Sequence, residues 1–162
     1  MTERGRIRLE VNGRTVHADV SMNQSLTEVL RTDAGATDVK YGCGEGVCGT
    51  CCVMLDGEPV NSCLVFAVQA AGSSITTLNG LVADDGGLHP LQEAFLAHGA
   101  AQCGFCTPGM VLTARWLLER DGALDREALR AGLSGNLCRC TGYTKILDAV
   151  EDYARGTVPS GD

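Results

Sequence analysis

The chain has 162 residues, 44% hydrophobic and 20% charged, a globular balance rather than a disordered one, and only 4% of it is aromatic. Thirteen basic against twenty acidic residues leave a formal charge of −7, which argues against phosphate-backbone binding because little cationic surface is present to displace counterions. No stretch approaches ~20 consecutive apolar residues, so the sequence contains no candidate membrane-spanning helix.

The first twenty residues, MTERGRIRLEVNGRTVHADV, have no apolar secretory core, no small-residue cleavage site and no twin-arginine pair. They predict a cytoplasmic chain, whose nine cysteines would stay reduced and serve metal or redox chemistry rather than disulfides. Within them IRLEV and RTVHADV alternate around Asn12-Gly13 and predict a two-residue hairpin. Leu26, Val29 and Leu30 share a helical face, with Ser25 as the N-cap. CCVML, Asp56-Gly57 and EPVNSC predict a second hairpin. Strands wrapped around one helix suggest a small β-grasp-like domain over residues 1–78.

The stretch NGLVADDGGLHP is rich in Gly and Asp and marks a linker at 79–87. From residue 88 the apolar period becomes that of a helix. Four short helices are predicted, at 90–99, 108–120, 125–133 and 144–154, in a second domain spanning 88–155, with a flexible tail at 156–162. Helix 90–99 runs into Cys103-x-x-Cys106 and helix 108–120 leaves it; helix 125–133 runs into Cys138-x-Cys140 and helix 144–154 leaves it. Two such units facing each other would bring four thiols to one point. The fold class is therefore α+β.

Eight of the nine cysteines fall into two sets of four. Cys43-x4-Cys48-x2-Cys51, followed by Cys63, is the plant-type ferredoxin spacing for a [2Fe–2S] cluster. Gly44-x-Gly46-x-x-Gly49 also fits a dinucleotide-binding fingerprint, but that turn should follow a buried strand and open a long helix. Here the polar TDVKYG precedes and the strand-like CCVML follows, so the loop is read as a metal loop. Gly42, Gly44, Gly46 and Gly49 would then supply unusual φ values and let backbone N–H groups face the sulfurs of an anionic cluster.

The second set, Cys103, Cys106, Cys138 and Cys140, is less diagnostic, since four thiolates also hold zinc. Its context favours a second cluster. Thr107-Pro108 offers an N-cap and a proline at the first helical position, and Thr141 or Thr144 can cap the last helix. Two helix N-termini would then face one anionic centre and stabilise its reduced state. Cys52 has no partner in the pattern and is expected to point into the core. His17, His89 and His98 are scattered and read as surface or hydrogen-bonded residues. Trp116 and Phe105 read as packing residues, and Arg139, between two cysteines, either balances cluster charge or faces solvent.

KYGCGEGVCGTC, NSC, AQCGFCTPGM and LSGNLCRCTGYTKI together resemble the iron–sulfur subunit of the molybdenum hydroxylases, the xanthine dehydrogenase and aldehyde oxidase family, in order over about residues 6 to 155. The resemblance implies a plant-ferredoxin-like domain followed by an all-α four-helix domain with a second [2Fe–2S] cluster. It implies an electron relay from a molybdopterin cofactor on a large subunit to FAD on a medium subunit, in a dimer of heterotrimers. Cys103, Cys106, Cys138 and Cys140 would ligate the cluster nearest molybdenum, and Cys43, Cys48, Cys51 and Cys63 the one nearest the flavin. Gln102 and Cys140 would contact the pterin; read by itself, Gln102 can equally cap a neighbouring backbone group. The chain departs from the family at Cys52, where Thr is more usual, and at the variable Val47, neither of them a ligand.

The chain has no room for a flavin or molybdenum domain, so the resemblance makes it one subunit of an oxidoreductase with no substrate chemistry of its own. The alternatives are a stand-alone two-cluster ferredoxin and a zinc-stabilised scaffold, which would be colourless.

Overall fold

Asn12 and Gly13 take positive φ angles of 51° and 75°, the handedness a two-residue hairpin turn requires. They join β1 (Arg4–Val11) to β2 (Arg14–Ser21) as an antiparallel pair in full register. The computed structural model describes residues 4–82, 86–122 and 124–157. Asp56 and Gly57, at φ 50° and 91°, close the second expected hairpin, β3 (Cys52–Leu55) with β4 (Glu58–Asn61). Between the hairpins lies α1 (Leu26–Thr32), whose cap is the expected Ser25: its hydroxyl accepts from the Glu28 N–H while the Glu28 carboxylate accepts from the Ser25 N–H.

One strand escaped the sequence reading. β5 (Ser74–Thr76) runs parallel to β1 and antiparallel to β3, giving the sheet order β2-β1-β5-β3-β4. Three residues are too few to show alternation, and the strand is specified by partners far away in sequence rather than by its own pattern.

The four helices of the second half are α2 (Pro90–Ala97), α3 (Thr107–Asp121), α4 (Arg126–Gly132) and α5 (Thr144–Arg155), each within two residues of its expected ends. Of the expected linker, residues 83–85 lie outside the described residues, as do 158–162 of the expected tail. Among the described residues no helix is long and apolar enough to cross a membrane.

Two cores result. Leu9, Val20, Leu26, Leu30, Val53 and Ile75 form the first around α1 and the sheet. Leu91, Phe95, Met110, Leu112, Leu129 and Ile146 form the second among the helices. β3 serves both: Val53 and Leu55 pack on the first core while Met54 packs on the second. A strand buried on both faces reads as a continuous apolar run, which accounts for CCVML. Cys52 sits on the helical side, 5% exposed, its Sγ 3.6 Å from Thr113 Oγ1 of α3, as the sequence led us to expect.

Candidate metal centres

The loop between α1 and β3 carries Cys43, Cys48 and Cys51. Three of its glycines, Gly44, Gly46 and Gly49, have φ of 73°, 78° and 69°, a region costly for any residue with a Cβ. Gly42 is not among the positive-φ residues, and the expectation of an unusual φ there is corrected. It is constrained by space, because a Cβ would press into Thr50 Oγ1 and Cys48 Sγ.

Cys63 arrives from the far end of β4 on a 3-10 turn, Ser62–Leu64. That turn is pinned from beneath: the buried Ser62 hydroxyl donates to the Cys51 carbonyl at 2.6 Å and lies 2.6 Å from Thr27 Oγ1 of α1. Asn61 Nδ2 donates to the Gly46 carbonyl at 2.9 Å, tying the strand end to the loop.

The four thiols lie close enough to act on one another's protonation, Cys48 on Cys43, and Cys51 and Cys43 on Cys63. Among the described residues no three Cys, His or acidic side chains converge as a single metal ion would require. Four thiol donors suit a two-iron cluster, in which each iron takes two thiolates and shares bridging sulfides with the other. Backbone N–H groups reach the sulfurs as the glycine pattern suggested. The Glu45 N–H is 3.5 Å from Cys43 Sγ and is the largest cause holding that thiol down to about 6. Burial, with the hydrogen bond to Cys51, pushes Cys63 up to about 11.

In the second set the thiols act on one another across the two helix–cysteine–helix units, Cys103 and Cys138 on Cys140, and Cys138 and Cys103 on Cys106. Burial pushes Cys106 up to about 12, and the hydrogen bond to Cys103 raises Cys140. Burial is also the largest influence on Cys138, upward, but the Thr141 hydroxyl and backbone N–H groups outweigh it and hold the thiol low.

The expected caps differ. Thr107 is not the N-cap of α3 but its first helical residue, its N–H donating to the Gly104 carbonyl at 3.3 Å; Cys106 occupies the cap position without a side-chain bond. At α5 the cap position falls to Tyr143, also without a side-chain bond, and Thr144 is already helical; Thr141 Oγ1 instead accepts the Tyr143 N–H at 3.1 Å. By contrast α1, α2 and α4 are capped by Ser25, His89 and Asp125. The two helices that leave the cysteine pairs are the ones with no side-chain cap, so their first-turn N–H groups are not taken up in that way.

Two residues of this site were not singled out from the sequence. Tyr143, at φ 68°, holds Cys138 in place: its hydroxyl accepts from the Cys138 N–H at 2.9 Å and donates to the Asn136 carbonyl at 3.1 Å. Asn136 is 5% exposed and donates through Nδ2 to the Gly49 carbonyl at 3.2 Å. Their one sequence signal is position, a polar side chain within three residues of a cysteine in an aperiodic loop.

The remaining candidates separate clearly. Cys103, Cys140, Gln102 and Arg139 are exposed, and neither Gln102 nor Arg139 makes a side-chain hydrogen bond or ion pair among the described residues. Phe105 and Leu137 beside them are 45% and 51% exposed. Trp116 packs on the helical core under Arg120, 4.1 Å from its ring. His17 is exposed, His89 caps α2, and His98 Nε2 lies 3.1 Å from Asp152, too misaligned for a hydrogen bond.

Comparison with known proteins bears on both sets. A family model described as a 2Fe-2S iron-sulfur cluster binding domain matches residues 9–74, and one described as a [2Fe-2S] binding domain matches residues 77–151. The nicotine 6-hydroxylase small subunit of Paenarthrobacter nicotinovorans is 48% identical over 151 residues, 93% of this chain and 90% of that protein. Quinoline 2-oxidoreductase from Pseudomonas putida 86 superposes with a TM-score of 0.85 at 44% identity, over 98% of this chain and 100% of that one. The aldehyde oxidoreductase of Desulfovibrio desulfuricans gives 0.86 at 47% identity over 94% of this chain but 17% of its own, so there the same unit is part of a longer polypeptide.

Proposed function

The chain belongs to the iron–sulfur (small) subunit family of the molybdenum hydroxylases, and from that premise we propose the following assignment of its residues. Cys43, Cys48, Cys51 and Cys63 hold one [2Fe–2S] cluster, and Cys103, Cys106, Cys138 and Cys140 hold the other. The chain is the electron-transfer subunit of an oxidoreductase complex, passing electrons from a molybdopterin centre through its two clusters to FAD, with molybdenum and flavin on partner subunits. The cluster of the second set lies nearer molybdenum and that of the first nearer the flavin. Residues 1–78 form the ferredoxin-like β-grasp domain, 79–87 the linker, 88–155 an all-α four-helix domain and 156–162 the tail.

The observation that carries this reading is the thiol arrangement: two sets of four whose members act on one another, with two uncapped helix N-termini following the second set. The donor chemistry fits two dinuclear clusters. The exposed Cys103 and Cys140, with free Gln102 and half-exposed Phe105 and Leu137 around them, support a face that the large molybdopterin subunit covers, with Gln102 and Cys140 touching the pterin. The medium FAD subunit is the other partner, in a cytoplasmic dimer of heterotrimers.

The test is the iron, molybdenum and flavin content of the complex that co-purifies with this chain from its host. Four iron atoms per molybdenum and per FAD are expected. Four iron atoms with neither molybdenum nor flavin would identify a free two-cluster carrier instead.

A further inference from the structure

Of the eight thiols in the two sets, two have a side-chain hydroxyl against the sulfur. Thr50 Oγ1 lies 3.2 Å from Cys48 Sγ, and Thr141 Oγ1 lies 3.1 Å from Cys138 Sγ. Each hydroxyl is fixed. Thr50 is 5% exposed and has no other side-chain hydrogen bond among the described residues, and Gly42 leaves it room where a Cβ would collide with it. Thr141 already accepts the Tyr143 N–H at 3.1 Å, which uses a lone pair and leaves its proton to be donated. An iron-bound thiolate carries no proton, so in the loaded protein both hydroxyls are the donors.

The backbones beside these two thiols are also hydrogen-bonded to each other across the halves. The Leu137 N–H, adjacent to Cys138, donates to the Cys48 carbonyl at 2.9 Å. Thr50 and Thr141 therefore flank one hydrogen-bonded bridge between the two sets.

Resting on the cluster assignment above, we propose that Thr50 and Thr141 are positioning residues that set the reduction potentials of the two centres, one each. Reduction adds one electron to a cluster and breaks no bond, so a hydroxyl donating to a ligand sulfur stabilises the more negative, reduced form more than the oxidised one. It raises the potential. Each threonine then tunes its own centre and leaves the other unchanged, so the pair fixes the step in potential between them.

The experiment is an EPR-monitored redox titration of the purified complex carrying Thr50→Val, Thr50→Ser, Thr141→Val or Thr141→Ser, with iron content measured alongside. Valine keeps the shape and removes the donor. Thr50→Val is expected to move the midpoint of the first-set signal to more negative potential at full iron content, with the second-set signal unmoved; Thr50→Ser restores the wild-type value. Thr141→Val gives an independent arm with the two signals exchanged. Unchanged midpoints at full iron content, or both signals moving together in one variant, overturn the inference. Absence of both signals from the wild-type complex overturns the cluster assignment instead, so the two failures are told apart.

Discussion

The Leu137 N–H donates to the carbonyl of Cys48 at 2.9 Å, so the residue beside one set of thiols is hydrogen-bonded to a member of the other. The join is reinforced one residue away on each side, where Asn136 Nδ2 reaches the Gly49 carbonyl. α3 closes on the same spot: a Cβ at Gly109 would collide with the Gly49 carbonyl and lie 3.0 Å from Asn136 Nδ2. The two halves are locked together beside a cysteine of each set.

Gly109→Ala is accordingly expected to wedge the halves apart. The obstructing atoms are backbone and a buried side chain, so the strain has no cheap release, and overpacking of this kind costs about 1–3 kcal/mol. Thermal unfolding should show an apparent Tm lower by several degrees. Gly5→Ala in β1, where a Cβ meets nothing within 4 Å, is the control and should leave Tm nearly unchanged.

Cys48→Ser is expected to abolish only the first-set cluster. Iron per chain falls by half and one of two EPR signals disappears, with the helical half retaining the other. Loss of the second-set signal in this variant would mean that the ligand sets are wrongly divided.

The α2 cap gives a pH dependence. His89 Nδ1 accepts the Leu91 N–H at 3.2 Å, which requires the neutral ring, and burial together with the nearby Arg115 charge lowers the His89 pKa below its ordinary 6.5. A histidine whose folded pKa is depressed contributes its stability fully above the unfolded value and loses it as pH falls toward the folded one. Stability should therefore decline as pH drops below about 6.5. His89→Asn, which caps without titrating, should flatten that decline in Tm measured against pH, whereas an unchanged slope would remove His89 as its source.

Much of this was legible in the sequence, and the limits have physical causes. Both hairpins, the Ser25 cap and all four late helices follow from local rules, since Asn12-Gly13, Asp56-Gly57 and i, i+4 apolar spacing act over a few residues. β5 did not, because its pairing with Glu10 and Val11 is a long-range choice. The cysteine sets were readable from spacing, but the hydroxyls of Thr50 and Thr141 against Cys48 and Cys138 were not, because such contacts are set only once the loops have folded. The threonines at 107 and 144 look like caps by type, yet the chain enters both helices one residue earlier than those caps need. Asn136 and Tyr143 gave no signal beyond proximity to Cys138, since a buried polar network is recognisable only once its partners, Gly49 among them, are in place.

The most direct test of two separate clusters on the two thiol sets is EPR spin quantification of the dithionite-reduced complex at low temperature, set against its iron content. Two distinguishable [2Fe–2S] signals are expected, each integrating to one spin per copy of this chain, with the Cys48→Ser and Cys103→Ser variants each losing a different one. A single signal at one spin per chain, or a colourless protein with no spin, would contradict this expectation.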